Sequence, residues 1–183
     1  MGGISDVDLV RWAYDHNLTK FDTVATFGGN QSILREHTAK FTIEFMRNVL
    51  ELDVDILKRT DTCIFQDLYL AHKGLQDWVC DSFRLDIFKG DSDFNFHPKM
   101  EMWKSHSWTT AIKVLFGEIQ KSNPWYKSYY DTAKSMGVLP STFTYADAER
   151  DATRMEVLRM LYNIAQWYKQ QDNFKIHLEK VSS

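Results

Sequence analysis

The chain has 183 residues, of which 44% are apolar and 14% aromatic, enough hydrophobicity to exclude a disordered protein and to fill one substantial core. Its 22 Lys and Arg residues against 25 Asp and Glu give a net charge of −3 with no block of like charge, which argues against nucleic-acid binding driven by bulk charge. No stretch of 18 apolar residues occurs, so no membrane-spanning helix is predicted.

Apolar residues recur with helical spacing along almost the whole sequence. This pattern predicts an all-α protein, a single-domain helical bundle of five to six helices with a long C-terminal helix. Short N-terminal helices are predicted within residues 6–27, with Ser5 as the N-cap of the first and Gly28 ending the second. The bundle helices of this single domain, residues 1–183, are predicted at residues 32–59, 61–88, 98–122, 124–136 and 145–180.

Proline, glycine and capping residues set these predicted boundaries. Pro98 and Pro124 each open a helix, because proline at the first helical position lacks only an N–H group that has no intrahelical partner there. Gly137 ends one helix, since glycine is favoured just after a helix C-terminus. Thr144 and Asp147 predict a capping-box-like start for the last helix. No internal repeat is found in the sequence.

Two cysteines, Cys63 and Cys80, both fall in the predicted helix at residues 61–88. Their separation of 17 residues corresponds to about 25 Å along a straight helix, too far for a disulfide. Free thiols fit a reducing compartment, and the N-terminus has no apolar segment typical of a secretion signal. A cytoplasmic location is therefore predicted.

His72 is the first candidate functional residue, because the helical spacing places it on an apolar face with Phe65 and Val79. A buried imidazole needs partners for its ring nitrogens. One interpretation is a core histidine that hydrogen-bonds to a neighbouring carbonyl or carboxylate. The other is a metal ligand or a general base.

Glu101 is a second polar residue on a predicted apolar face, that of Trp108 and Ile112. Its place in the first turn of the predicted helix also allows a simple interaction with the helix dipole. Since imidazole and carboxylate ligands suit Zn, Fe or Mn, a divalent-metal site is one hypothesis. Its candidate ligands are His37, His72, His97, Glu101 and His106.

Arg150 and Arg154 lie one turn apart in the predicted last helix. Two guanidinium groups on one side of a helix could hold a phosphate or a carboxylate bidentately, which makes this pair an anion-binding candidate. Asp147 and Asp151, each three residues before one of the arginines, offer the alternative that both are neutralised within the protein.

A run of rings in the predicted helix 124–136 is the best candidate for an interaction surface. Tyr and Trp favour places where one end of the ring is dry and the other wet, although packing in the core is the alternative. The surface would suit a protein partner or a symmetric copy of the chain. Its residues are Trp125, Tyr126, Tyr129 and Tyr130.

Two main functions follow from these features, with anion binding at the two arginines as a third. The first is an intracellular interaction or assembly module that uses aromatic-rich helix faces to bind a protein partner or itself. The alternative is a metal-dependent helical-bundle enzyme, a hydrolase or oxidoreductase acting on a phosphorylated or oxidisable small molecule, with His72 and Glu101 contacting the metal. No Walker or Rossmann nucleotide-binding loop occurs.

Overall fold

The computed structural model describes residues 3–182, and within this range the protein is all-helical, with 52% helix and no strands. Three short 3-10 helices lie at Leu68–Leu70, Lys73–Leu75 and Tyr145–Asp147. The α-helices are α1 (Asp6–Asp15), α2 (Val24–Phe27), α3 (Arg35–Asn48), α4 (Val54–Leu57), α5 (Gln76–Arg84), α6 (Lys104–Phe116), α7 (Lys127–Met136), α8 (Arg154–Lys169) and α9 (His177–Val181).

Local capping signals locate several helix ends as predicted. The Ser5 hydroxyl accepts a hydrogen bond from the backbone N–H of Asp8 at 3.1 Å and so caps α1. Gly28 ends α2 at φ 67°, and Gly137 ends α7 at φ 72°. Both glycines adopt the left-handed conformation, which costs a residue without a Cβ little.

The predicted helix at residues 61–88 is the largest error. Only α5 and two 3-10 turns form there, because backbone groups before α5 have distant partners. The N–H of Gln66 donates to the carbonyl of Phe94 at 3.0 Å, and the Asp67 carboxylate accepts from the N–H groups of Phe96 and His97 at 2.8 and 2.7 Å. Such long-range bonds override the weak local preference for a helix.

The segment before α5 also shows that the prediction of free thiols is wrong. It folds back against α5 and brings the Cα atoms of Cys63 and Cys80 within 5.2 Å, where the two cysteines form a disulfide. Disulfides persist mainly in oxidising compartments. The cysteines therefore no longer support the predicted cytoplasmic location.

Three extended segments meet in the middle of the molecule and form what we call the central ring. The N–H of Ile33 donates to the carbonyl of Ala152 at 3.0 Å, that of Ala152 to Met102 at 2.7 Å, and that of Met102 back to Ile33 at 2.9 Å. All three residues are fully buried, and each stands two residues before a helix. The same local backbone geometry thus recurs at the starts of three helices.

The central ring explains why three predicted helix starts were wrong. Residues 32, 98 and 145 were predicted to begin helices, whereas α3, α6 and α8 begin later because the ring holds the preceding residues extended. The capping box of α8 is formed by Thr153 and Glu156 rather than by the predicted Thr144 and Asp147. The long helix predicted near the C-terminus is α8, and the remainder of the predicted range 145–180 includes the short helix α9.

One cluster of buried apolar side chains extends from Leu9 in α1 to Leu178 in α9. Trp108 is fully buried within it, and the rings of Tyr130 and Phe143 pack against its indole with centroids 5.1 and 6.1 Å away. Large aromatic rings therefore account for much of the buried apolar surface. Within residues 3–182, no helix combines the length and the apolar character needed to cross a membrane.

Candidate functional site

The central ring places a basic residue at the first position of each of its three helices. These residues are Arg35 in α3, Lys104 in α6 and Arg154 in α8. Each basic side chain lies near the third residue of the next helix around the ring: each arginine lines the same cavity as its histidine, and the lysine forms a 3.1 Å ion pair with its glutamate. The three pairs are Arg35 with His106, Arg154 with His37, and Lys104 with Glu156.

The Arg154 cleft is a cavity of about 630 Å³ between α3, α8 and the segment before α2. Its lining includes the positive charges of Lys20, Lys40 and Arg154 and, among the residues that the structure describes, no aspartate or glutamate. The cleft is therefore electropositive even though the chain as a whole is acidic. Apolar side chains complete the lining, among them Leu18, Phe21, Phe27, Phe41 and Leu75.

Arg154 is fixed on one side and unpaired on the other. Its Nε donates to the carbonyl of Phe27 at 3.1 Å, and its guanidinium carbon lies 5.0 and 5.7 Å from the ring centroids of Phe27 and Phe41. Burial lowers the pKa of Arg154. In the described part of the chain no carboxylate oxygen lies within 4.0 Å of this guanidinium, so its two terminal nitrogens keep unused donors.

His37 faces Arg154 as a neutral imidazole at pH 7. Burial and then the charge of Arg154 lower the pKa of His37, against the opposing effect of the Glu36 carboxylate. That carboxylate is itself engaged, because it accepts from Lys99 Nζ at 2.6 Å and from the backbone N–H of His72 at 3.0 Å. The positive charge of the cleft is thus left without a close counter-charge.

The Arg35 cleft is a second cavity, of about 320 Å³, beside α6. Three buried polar atoms of its lining have no hydrogen-bond partner: Nε of Arg35, Nδ1 of His106 and Oγ1 of Thr109. The Thr109 side chain belongs to a residue only 6% exposed. Buried polar groups without partners are rare, and each costs about 1–3 kcal/mol. Polar residues thus border this cavity, although these three atoms are themselves covered by protein.

Arg35 lies between two rings, with its guanidinium carbon 4.4 and 5.1 Å from the centroids of Phe88 and Phe96. Burial lowers the pKa of Arg35 to about 10, although the charges of Asp67 and Asp91 act to raise it. Both carboxylates accept hydrogen bonds from backbone N–H groups. Neither lies within 4.0 Å of the guanidinium, so Arg35 remains charged and lacks a direct partner.

His106 is held between Trp103 and Trp125, with ring centroids 5.3 and 5.4 Å away. Burial and then the charge of Arg35 lower the pKa of His106 to about 4. The imidazole is therefore neutral at pH 7. Among the described residues, the one carboxylate that lines the cleft, that of Asp86, is paired with Arg59 at 2.6 Å, so it does not neutralise Arg35.

The predicted inward position of His72 is wrong. The residue is exposed and caps the 3-10 helix Lys73–Leu75, with Nδ1 accepting from the N–H of Gly74 at 3.1 Å. Glu101 is also exposed, and it lies in an extended segment before α6 rather than on a helix. Both errors follow from helices that were predicted too long.

The five predicted metal ligands are dispersed. His37 and His72 line the Arg154 cleft, His106 lines the Arg35 cleft, and His97 pairs with Asp91 on the surface at 2.6 Å. Within residues 3–182, no three His, Cys, Asp or Glu side chains form a group that could hold a metal ion.

The structure separates the two arginines that were predicted to act together. Arg150 lies before α8, is exposed, and pairs with Asp147 at 3.1 Å. It does not line the Arg154 cleft. Of this pair, only Arg154 is placed to bind an anion.

The predicted four-ring surface is only partly exposed, with Tyr126 and Tyr130 half-buried. Tyr129 is buried, whereas Trp125 is 48% exposed. The rings of Tyr126 and Tyr130 contact Trp108 at centroid distances of 6.0 and 5.1 Å. Trp125 is therefore the one member of the predicted set that presents an exposed ring.

In comparisons with known proteins, no family model and no curated protein matched this sequence. The function is therefore argued from the geometry of the clefts.

Proposed function

We propose that the protein binds small anionic ligands, through a phosphate or carboxylate group, at the Arg154 cleft and the Arg35 cleft. The observation that carries this proposal is the same in both clefts: a fixed guanidinium faces a neutral histidine and has no carboxylate within 4.0 Å among the described residues. The planar guanidinium matches the two oxygens of a carboxylate or phosphate with two parallel hydrogen bonds.

The energetic argument is that a ligand anion removes a cost carried by the free protein. An unpaired buried charge or donor is unfavourable unless a partner is supplied. An anion in the Arg35 cleft would accept from the terminal nitrogens of Arg35, and it would favour a protonated His106. In the Arg154 cleft, an anion would likewise accept from Arg154 and favour a protonated His37.

The apolar lining supports a ligand with more than a bare anionic group. The rings of Phe21 and Phe41 line the Arg154 cleft, and that of Trp125 lines the Arg35 cleft. Ligand sites commonly combine apolar walls with a few placed polar groups, in cavities of this size. We infer that the anionic group is attached to a ring or an aliphatic part that these walls cover.

The test is a titration with inorganic phosphate, followed by NMR on the arginine Nε–Hε signals. Arg154→Met should abolish the response of the larger cleft, weakening phosphate binding there by about 100-fold or more because charge-assisted hydrogen bonds are lost. Arg150→Met is the matched control, since Arg150 is exposed and already paired with Asp147, and it should bind phosphate as the wild type does. Equal phosphate affinity of all three proteins would contradict the proposal.

A second candidate is the interaction or assembly module, for which the exposed rings flanking His106 are the supporting observation. Trp103 is 38% exposed and Trp125 48%, and tryptophan is enriched where proteins associate. The occupant we propose is a second copy of the chain. Light scattering that shows a monomer at all concentrations would exclude self-association through these rings. The metal-dependent enzyme finds no support, because its predicted ligands are dispersed.

The location also stays a proposal. The disulfide between Cys63 and Cys80 favours an oxidising compartment over the predicted cytoplasm. Alkylation of the protein in intact cells, followed by mass spectrometry, would distinguish the two locations by whether these cysteines are free.

A further inference from the structure

The third corner of the central ring differs from the other two. Lys104 occupies the position of the two arginines and is only 9% exposed. Its Nζ lies 3.1 Å from Oε2 of Glu156 and donates to the carbonyl of Thr142 at 2.8 Å. Where α3 and α6 have a histidine at their third position, α8 has this glutamate.

We propose that Glu156 is a built-in occupant of the third corner, and that it limits the protein to two anion sites by supplying the carboxylate that a ligand supplies at the other corners. This inference rests on the proposed function. It assigns to Glu156 a role in setting the number of sites, beyond its role in capping α8.

Hydrogen bonds hold the Glu156 carboxylate in place at the third corner. Oε2 accepts from the Thr142 hydroxyl as well as interacting with Lys104, and Oε1 accepts from the backbone N–H of Thr153 at 2.9 Å. Burial acts to raise the pKa of Glu156, but the hydrogen bonds from Thr142, Thr153 and Lys104 outweigh it and hold the pKa below its usual value. The carboxylate is therefore ionised at neutral pH.

An ionised carboxylate excludes a ligand anion in two ways. It neutralises the charge of Lys104, and it repels a second negative group at the same place. At the other corners, His37 and His106 carry no charge at pH 7, so the arginine charge stays available. The difference between corners thus depends on one residue type at an equivalent position.

The experiment counts phosphate ions bound per chain by isothermal titration calorimetry, for the wild type, Glu156→His and Glu156→Ala. Glu156→His reproduces the residue of the other corners, and Glu156→Ala removes the carboxylate and leaves space. Each should bind one phosphate more than the wild type. Two variants are used so that the test still works if one of them fails to fold. Far-UV circular dichroism shows whether each variant is folded.

Glu179→Ala is the matched control. Glu179 also accepts a backbone N–H at the start of a helix, that of Ile176 at 2.9 Å, so its loss weakens a helix start without touching a corner of the ring. This variant should bind the wild-type number of phosphates. A folded Glu156 variant with no additional phosphate would overturn the inference, whatever the wild-type number. A wild type that binds no phosphate, with one ion gained on substitution, would instead sink the proposed function and leave Glu156 as the occupant.

Discussion

Replacing Arg35 with methionine is expected to stabilise the protein and to remove the anion site of the Arg35 cleft at the same time. Methionine keeps the apolar contacts with Phe88 and Phe96 but carries no charge. An unpaired buried polar group costs about 1–3 kcal/mol, and a charged one more, so removing the guanidinium relieves this cost, and the lost cation–π contacts take back part of the gain. A net gain of about 1 kcal/mol should raise Tm by about 2–4 °C in a chain of this size.

Although Arg35→Met should stabilise the fold, it should weaken phosphate binding. Losing the guanidinium should weaken phosphate binding in that cleft by about 100-fold, whereas the Arg154 cleft should respond normally. Thermal melts with and without phosphate, together with NMR of the Arg154 Nε–Hε signal, measure both effects. This combination of higher stability and lost binding is typical of a residue kept for function.

Arg47→Met is the control for Arg35→Met. Arg47 also lies over a ring, with its guanidinium carbon 5.7 Å from the centroid of Trp78, but it pairs with Glu44 at 2.8 Å. Its replacement should destabilise the protein slightly, because Glu44 loses a partner, and should leave phosphate binding unchanged. A lower Tm for Arg35→Met, with phosphate binding retained, would show that the Arg35 guanidinium is structural.

The double substitution Cys63→Ala and Cys80→Ala is expected to cost about 3 kcal/mol of unfolding free energy. The disulfide joins two cysteines that are 17 residues apart in the sequence. A cross-link over a loop of that length lowers the entropy of the unfolded chain, which stabilises the folded state by about 3 kcal/mol. Tm should fall by about 6–12 °C. Urea unfolding of the wild type and of the double variant, both with and without reductant, measures the difference.

The reductant provides the control for the cysteine experiment. Reduction should destabilise the wild type by a similar amount and should leave the double variant unchanged, since the variant has no disulfide to lose. Rapid alkylation of both cysteines in the native, unreduced protein would mean that the bond does not form.

The parts of the fold that the sequence predicts well are those determined locally. Ser5 caps α1 and Gly28 ends α2 because the interaction involves neighbours in the chain. Residues 61–75 were predicted to be helical from their apolar spacing. Their structure depends on Asp67 binding the backbone near Phe96 and on the disulfide, which no local pattern reveals.

The candidate site was predicted only in part, and for a related reason. Arg154 was predicted to bind an anion together with Arg150, its neighbour in sequence, whereas in the structure it shares a cleft with His37. Arg35 was missed, because its isolation from carboxylates results from distant segments that carry Phe88 and Phe96. A signal does exist in the sequence: a basic residue followed two positions later by His or Glu, as in Arg35–Glu36–His37, Lys104–Ser105–His106 and Arg154–Met155–Glu156.

The pH titration of His106 by NMR, with and without inorganic phosphate, tests anion binding at the Arg35 cleft most directly. In the free protein we expect a pKa near 4, below the ordinary value of about 6.5. The unfolded chain then binds the His106 proton more tightly than the folded protein does. The folded state therefore keeps its full stability above pH 6.5, and protonation of His106 in the unfolded chain lowers that stability as the pH falls toward 4.

Phosphate bound beside Arg35 should raise the pKa of His106 by about one unit or more, because a nearby negative charge favours the protonated imidazole. His16, whose Nδ1 bonds to the Trp12 carbonyl at 2.8 Å away from both clefts, is an internal reference whose NMR signals phosphate should leave unchanged. A pKa of His106 near 6.5 that phosphate does not move would contradict anion binding at this cleft.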